Sequence, residues 1–277
     1  MKREWNELIA VRGGGDLATG TIHRLWSAGF RVLVLETAAP AAIRRQVCVS
    51  EAVYEKMATV EGMTAELAEN PEEVEQIWNS GSVPVVIDPT GACLKEFRPA
   101  VLVDAILAKK NLGTTRDMAP LVIGLGPGFE AGKDVDLVIE TLRGHNLGRV
   151  IRSGCAVANT GIPGVIGGVG ADRVIRSPAA GILRTVRSIG DRVEKGEEVA
   201  FVAAEGEKIP VPATISGLLR GLIRDGFPVT EGFKIGDIDP RMEEYDNCFT
   251  ISDKARAIGG SVLEQVCRFF RLQTDRP

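Results

Sequence analysis

The sequence predicts an α/β protein: a Rossmann-like, mostly parallel sheet, then a smaller all-β unit and a C-terminal helix. Three observations predict it. Short apolar runs alternate with helix-length segments up to about residue 170. A Gly-rich turn, Gly13-Gly14-Gly15-Asp16, follows the first of those runs. Beyond Asp172 the runs shorten and Gly-Asp and Asp-Gly turns recur at close spacing, as all-β units require. The expected boundaries are 1–171 for the α/β unit, 172–241 for the all-β unit and 242–277 for a helical segment returning to the first. A chain of 277 residues also exceeds the usual size of one domain.

The first element is Leu8-Ile9-Ala10-Val11, a strand that stops at three glycines. Leu17, Ile22, Leu25 and Trp26 then recur at helical spacing, and Val32-Leu33-Val34-Leu35 forms a second strand ending at Glu36. Strand, turn, helix and strand make one βαβ unit. Further strands are expected over 83–87, 100–103, 121–123 and 137–139, with a helix-length segment over 65–78. Ala257, Val262, Leu263, Val266 and Phe269 mark the last helix, whose apolar stripe must pack on something.

Composition narrows the function classes. With 44% hydrophobic residues, 25% charged residues and a net charge of -4, nothing invites nucleic acid. No run of about 18 apolar residues is present to span a bilayer, so no membrane role is expected. Five cysteines without a C-x-x-C pair, behind a charged amino terminus and no secretory leader, read as reduced thiols of a cytoplasmic protein. Two histidines cannot build a His-rich centre, and no metal site is expected.

An internal repeat occupies the second unit. Moving the segment 181–196 forward by 36 positions superposes Gly181 on Gly217, Leu183 on Leu219, Arg184 on Arg220, Gly190 on Gly226, Val193 on Val229 and Gly196 on Gly232. The duplicated pattern G-x-L-R-x5-G-x2-V-x2-G resembles the two halves of biotinyl and lipoyl domains, which are barrel-sandwich folds. In those domains a lysine between the halves carries a prosthetic group. Lys208 stands in Glu205-Gly206-Glu207-Lys208-Ile209-Pro210, outside the setting that modifying enzymes read, which favours a structural or docking module.

The stretch from Gly13 through Ala18 matches G-x-G-x-x-A, and amides at the start of the following helix favour an anion. Gly13, Gly14, Gly15, Asp16 and Thr19 are therefore candidate binding residues. Glu36 lies 21 positions beyond Gly15, where a carboxylate can accept from a ribose diol. NAD or another nucleotide, molybdopterin, or a turn kept only for folding remain open. A second set lies at the expected strand ends: Asp88 and Thr90, Asp104, Gly124, Gly126 and Gly128, Glu140 and Thr141, then Arg143, Gly144 and His145. In an open parallel sheet those ends face one crevice. Asp104, Lys109 and His145 are the candidate catalytic groups, as acid, cation or proton shuttle. The alternatives are a solvated Lys109-Lys110 surface and a His145 that only hydrogen-bonds locally. Cys93 and Cys155 can carry sulfur or selenium where the thiolate is stabilised, or serve as small apolar side chains.

Together these motifs resemble one family, the YqeB-type accessory proteins of the selenium-dependent molybdenum hydroxylase system. The resemblance rests on Arg12 through Gly20 (RGGGDLATG), on Arg44-Arg45 with Ser50-Glu51-Ala52-Val53-Tyr54, and on Val103 through Thr114 (VDAILAKKNLGT). It continues through Gly124 to Gly148, Asn159-Thr160-Gly161 and Lys234 through Arg241 (KIGDIDPR). It implies help in maturing a xanthine or purine dehydrogenase type of enzyme, through selenium or molybdenum-cofactor insertion, with the apo-hydroxylase as partner. It supplies no catalytic residues. Gly14 stands where alanine is expected, a change that should loosen the turn. The competing class is an NAD-linked oxidoreductase acting on a small metabolite, and a homo-oligomer is left open.

Overall fold

The computed structural model describes residues 7–158, 168–204 and 206–274. Asn159-Thr160-Gly161 and Glu205 lie outside the described residues. The chain divides into two units, one made of Met1–Pro40, Cys48–Thr160 and Ile251–Pro277, the other of Ala41–Val47 and Gly161–Thr250.

In the first unit the apolar runs become β1 (Leu8–Arg12), β2 (Arg31–Glu36), β3 (Met57–Val60), β4 (Met63–Ala68), β5 (Val83–Ile87), β6 (Val101–Asp104) and β7 (Leu121–Leu125). A short β8 (Glu130–Ala131) precedes β9 (Leu137–Ile139), β10 (Val150–Ile151) and β11 (Gly154–Cys155). Among the described residues nine strands join in the order β10-β9-β7-β6-β1-β2-β5-β4-β3, and β8 pairs with β11. The inner pairings are parallel, while β3 and β10 run antiparallel and close the two edges. The helices are α1 (Asp16–Ser27), α2 (Ala52–Glu55), α3 (Pro71–Asn79) and α4 (Leu94–Phe97), with α5 (Asp253–Thr274) after the second unit.

This corrects the expectation of a Rossmann-like sheet, although among the described residues six of its eight pairings are parallel, as expected. The sheet is mixed, and the crossover from β6 to β7 holds only the single turn Arg116–Met118, not a covering helix. The reason is local. The segment Lys109-Lys110-Asn111-Leu112-Gly113-Thr114 has no apolar periodicity, and Asn111 folds it by accepting from the amides of Gly113 and Thr114. The helix expected over 65–78 is likewise a strand, β4, and then a helix starting at Pro71. The Asn70 side chain caps it by accepting from the Glu73 amide at 2.9 Å.

The last helix packs on α1. Ala255, Ile258, Val262, Val266 and Phe270 are its buried stripe. A Cβ at Gly20 would meet the Ala255 carbonyl at 2.7 Å, so glycine there lets the backbones touch. Phe30 stacks on Phe270 at 5.7 Å, at the far end. Both helices therefore begin at the same end, beside the carboxyl ends of the parallel strands.

The second unit contains β12 (Val174–Arg176), β13 (Gly181–Thr185), β14 (Arg192–Val193) and β15 (Glu198–Ala204). Then come β16 (Glu207–Pro212), β17 (Gly217–Leu222), β18 (Pro228–Val229) and β19 (Lys234–Asp239). Among the described residues they form two four-stranded antiparallel sheets, β12-β19-β17-β14 and β16-β15-β13-β18. The 36-residue repeat is visible as an exchange: β14 pairs with β17, the first strand of the second copy, and β18 with β13, the first strand of the first. The biotinyl or lipoyl-like barrel is nevertheless corrected to two sheets with no shared strand. Lys208 lies on β16, where its ammonium meets Glu198 at 2.7 Å and the Phe201 ring at 4.6 Å. Lys208 thus stands on a strand, beside its partners, with its side chain still largely exposed. Residues 41–47 belong to this unit because Ile43 accepts from the Leu222 amide at 2.9 Å and Arg44 donates to the carbonyls of Asn247 and Thr250.

Candidate functional site

The carboxyl ends of β1, β6, β7 and β9 gather most of the residues singled out from the sequence. At the end of β1, Gly13 adopts φ +93° and donates its amide to the Leu35 carbonyl at 2.8 Å. The next amide, of Gly14, donates to Glu36 Oε1 at 2.7 Å, and the other Glu36 oxygen accepts from the Thr37 amide. Ser50 donates its amide to the Gly14 carbonyl, and Thr19 Oγ1 accepts from the Val49 amide while donating to the Gly15 carbonyl. The turn is thus covered by the segment 49–51. A Cβ at Gly14 would lie 2.9 Å from the Ser50 nitrogen, so glycine tightens the packing here and does not loosen the turn.

These contacts correct the nucleotide reading of Gly13, Gly14, Gly15, Asp16, Thr19 and Glu36. The carboxylate expected on a ribose instead stands on the Gly14 amide. Spacing placed Glu36 at the right strand end but could not say which donor it meets. In this structure the turn is held by the protein's own acid, with each Glu36 oxygen accepting one backbone amide.

Asp104 is corrected as well. It is 1% exposed, accepts from Thr114 Oγ1 at 2.5 Å and the Ile106 amide at 3.1 Å, and pairs with Arg12 at 3.4 Å. Arg12 also donates to Thr114 Oγ1 and, at 2.9 Å, to the Pro89 carbonyl. A carboxylate so enclosed holds Arg12 and Thr114 in place; it has no lone pair turned to a substrate. Sequence reasoning missed Arg12 and Thr114 as its partners. Lys109 and His145 are exposed, and among the described residues no hydrogen bond joins either to Asp104.

Asp88 accepts from Thr90 Oγ1 and the amides of Thr90, Gly91 and Cys93. Partial burial raises its carboxyl, but these hydrogen bonds outweigh that and hold it at about 2. Asp88 and Thr90 therefore build the turn that starts α4. Cys93 is the converse case: burial first, then the neighbouring Asp88 carboxylate, push its thiol up to about 12. A thiol held protonated in this way is a weak nucleophile. Gly126 (φ +78°) and Gly128 (φ +113°) bring their loop against Thr141 and the Lys110 backbone. There the non-glycine residues Leu107 and Lys109 also take positive φ, and strained backbone of this kind gathers at functional surfaces. A Cβ at Gly124 would strike the Phe129 ring, so this glycine answers to packing.

At the same end Glu140 is buried and accepts from the amides of Leu142 and Val157, tying two loops together. Arg143 forks onto Asp253 at 2.8 and 3.0 Å. Half-buried Lys254 lies in the field of Asp16, Glu140, Arg143 and Asp253. Burial first, then Arg143, push its ammonium below the usual lysine range, while Asp16, Glu140 and Asp253 act in the opposite sense. Lys254 was not found from the sequence. A lysine in the first turn of a helix, opposed by the helix dipole, was the available signal. Among the described residues no three His, Cys, Asp or Glu side chains are arranged to hold a metal, and no helix is long and apolar enough to cross a membrane.

No family model matches the chain. Solved structures that align along most of it include the ectoine utilization protein EutE (DoeB) from Ruegeria pomeroyi, at 10% identity over 84% of this chain and 86% of that one, with a TM-score of 0.28. A succinylglutamatedesuccinylase/aspartoacylase from Rhodobacter sphaeroides aligns at 14% identity over 85% and 86%, also with a TM-score of 0.28. At such TM-scores the likeness carries no argument of its own, and the corrections rest on the sheet topology and the Glu36 contact. By sequence, the uncharacterized protein YqeB of Escherichia coli (strain K12) is 52% identical over 260 residues, covering 94% of this chain and 47% of that protein. The chain spans about half the length of the curated relative it matches. The resemblance carried by Arg12 through Gly20 and the later motifs is thereby supported along nearly the whole chain, which is a sequence relative of YqeB over that half.

Proposed function

We propose that the chain is an accessory protein in the maturation of a selenium-dependent molybdenum hydroxylase of the xanthine or purine dehydrogenase type. It works on selenium or molybdenum-cofactor insertion, with the apo-hydroxylase as partner, through the carboxyl edge of its mixed sheet. One observation supports this reading most. Three separate motifs of the resemblance meet at that edge, because Arg12 of the first joins Asp104 and Thr114 of the second, and Gly128 of the third packs on Lys110. Exposed Lys109, Lys110 and His145 then stand on a platform of fixed loops, where a partner or an anionic group can reach them. The edge binds and positions, and Asp104 sets its shape from below.

The test is to purify the hydroxylase from cells with and without this chain and compare its specific activity and its selenium per polypeptide. Loss of both without the chain, and recovery on resupply, is the expected result. A fully active, selenium-replete hydroxylase made in its absence would end the proposal.

A further inference from the structure

A cleft of about 640 Å³ opens at the carboxyl ends of β4 and β5, between α3 and α4, and shares Val53, Asp88 and Cys93 with the features described above. Its size is that of a small-molecule site. The wall is apolar: Val74 and Pro71 of α3, Leu67 of β4, Ile87 of β5 and Phe97 of α4. Ile87 is 48% exposed, an unusual amount for an aliphatic side chain on an interior strand. Phe97 is fixed edge-on by Trp78 at 6.0 Å, so its ring has a set direction.

The charged lining is unbalanced. Glu69, Asp88 and Glu96 supply three carboxylates against one ammonium, Lys56. That ammonium already stands 3.0 Å from Glu69. The positive start of α3 is offset by its own side chains, since Asn70 takes the Glu73 amide and Glu73 takes the Glu69 amide. A dissolved anion would thus meet net negative charge here with no free cation to receive it. A flat organic cation would find apolar walls for its body, an aromatic ring and a carboxylate rim for its charge.

We infer that this cleft is a binding site for a flat, positively charged aromatic molecule, of the class of protonated ring amines. The ring lies among Leu67, Ile87 and Phe97, and the charge faces Glu96 at the mouth. This goes beyond the proposed function and does not depend on it, because the test uses the purified chain alone.

The test titrates the chain with the cationic dye proflavine and, separately, with the anionic dye 1-anilinonaphthalene-8-sulfonate, following fluorescence. Proflavine is expected to bind one per chain, and the anionic dye markedly more weakly. Ala92→Trp, on an exposed lining position, should block the cleft and weaken proflavine roughly tenfold or more, the scale of a buried aromatic contact. Glu96→Lys should weaken it about two- to fivefold, the scale of an exposed ion pair. Because Cys93 also lines the cleft, bound proflavine should slow its alkylation at pH 9, read by mass spectrometry at that residue. Unchanged thermal unfolding shows that each variant folds. Equal or tighter binding of the anionic dye, proflavine affinity unaltered by Ala92→Trp, or Cys93 alkylation unaffected by the dye would each overturn the inference.

Discussion

Arg12 and Asp104 are register partners across β1 and β6, and their side chains meet in an ion pair at 3.4 Å with exposures of 2% and 1%. Removing one partner strands the other charge in the interior. Asp104→Ala should therefore lower unfolding stability by about 3–5 kcal/mol. The paired change Arg12→Met with Asp104→Leu should cost clearly less, because no lone charge remains. Urea unfolding of the three proteins measures this; equal losses in single and double variants would mean that the pair is not coupled.

Glu36 acts on the protein's own backbone. Glu36→Ala should cost about 1–2 kcal/mol, the scale of leaving the partly buried Gly14 amide without an acceptor. Glu36→Gln, which keeps an acceptor, should cost less. Millimolar NAD should leave the melting temperature of the wild type unchanged. A rise with NAD that disappears in Glu36→Ala would put the carboxylate back on a ribose.

Asp88 and Cys93 titrate against each other. Asp88 is held at about 2, below its ordinary 3.8, so the stability it contributes is complete above pH 3.8 and is lost as pH falls from there through 2. Asp88→Asn should remove that acid-limb dependence. It should also ease the Cys93 thiol down from about 12, though burial keeps it above the ordinary 9.0. Cys93 alkylation at pH 9 should then run severalfold faster in Asp88→Asn. An identical rate would show that burial alone sets the thiol.

Lys254 offers a pH signature. Competitive acetylation should show it losing its proton below the ordinary lysine value of 10.5. Arg143→Gln should raise that midpoint, and Asp16→Asn should lower it. Between the lowered folded value and the ordinary 10.5 the unfolded chain binds more protons, so stability from this group rises with pH across that window. A midpoint matching the surface lysines would remove Lys254 from the site.

Strands were legible wherever burial on both faces writes a continuous apolar run, as in Leu121 to Ile123 and Leu137 to Ile139. The hairpin of β3 and β4 was not. Its Glu61-Gly62 turn, with φ +47° and +81°, is a short signal, and Met63 to Ala68 mixes polar and small residues that also suit a helix. The place of residues 41–47 depends on a backbone bond to Leu222, 179 positions after Ile43, which no local pattern encodes. In the site, residue types and strand ends were readable, but partners were not. Asp104 and Glu36 both sit where ligand-binding acids sit, and only the fold shows one holding Arg12 and the other capping Gly14.

The central claim is that the carboxyl edge serves hydroxylase maturation, and Lys109 and Lys110 test it most directly, since both are exposed. The measurement is selenium and molybdenum per hydroxylase polypeptide, by elemental mass spectrometry, from cells carrying either the wild-type chain or Lys109→Glu with Lys110→Glu. The account predicts an unchanged melting temperature for the variant and a hydroxylase depleted in one of the two elements. Full loading of both by the charge-reversed chain would contradict it.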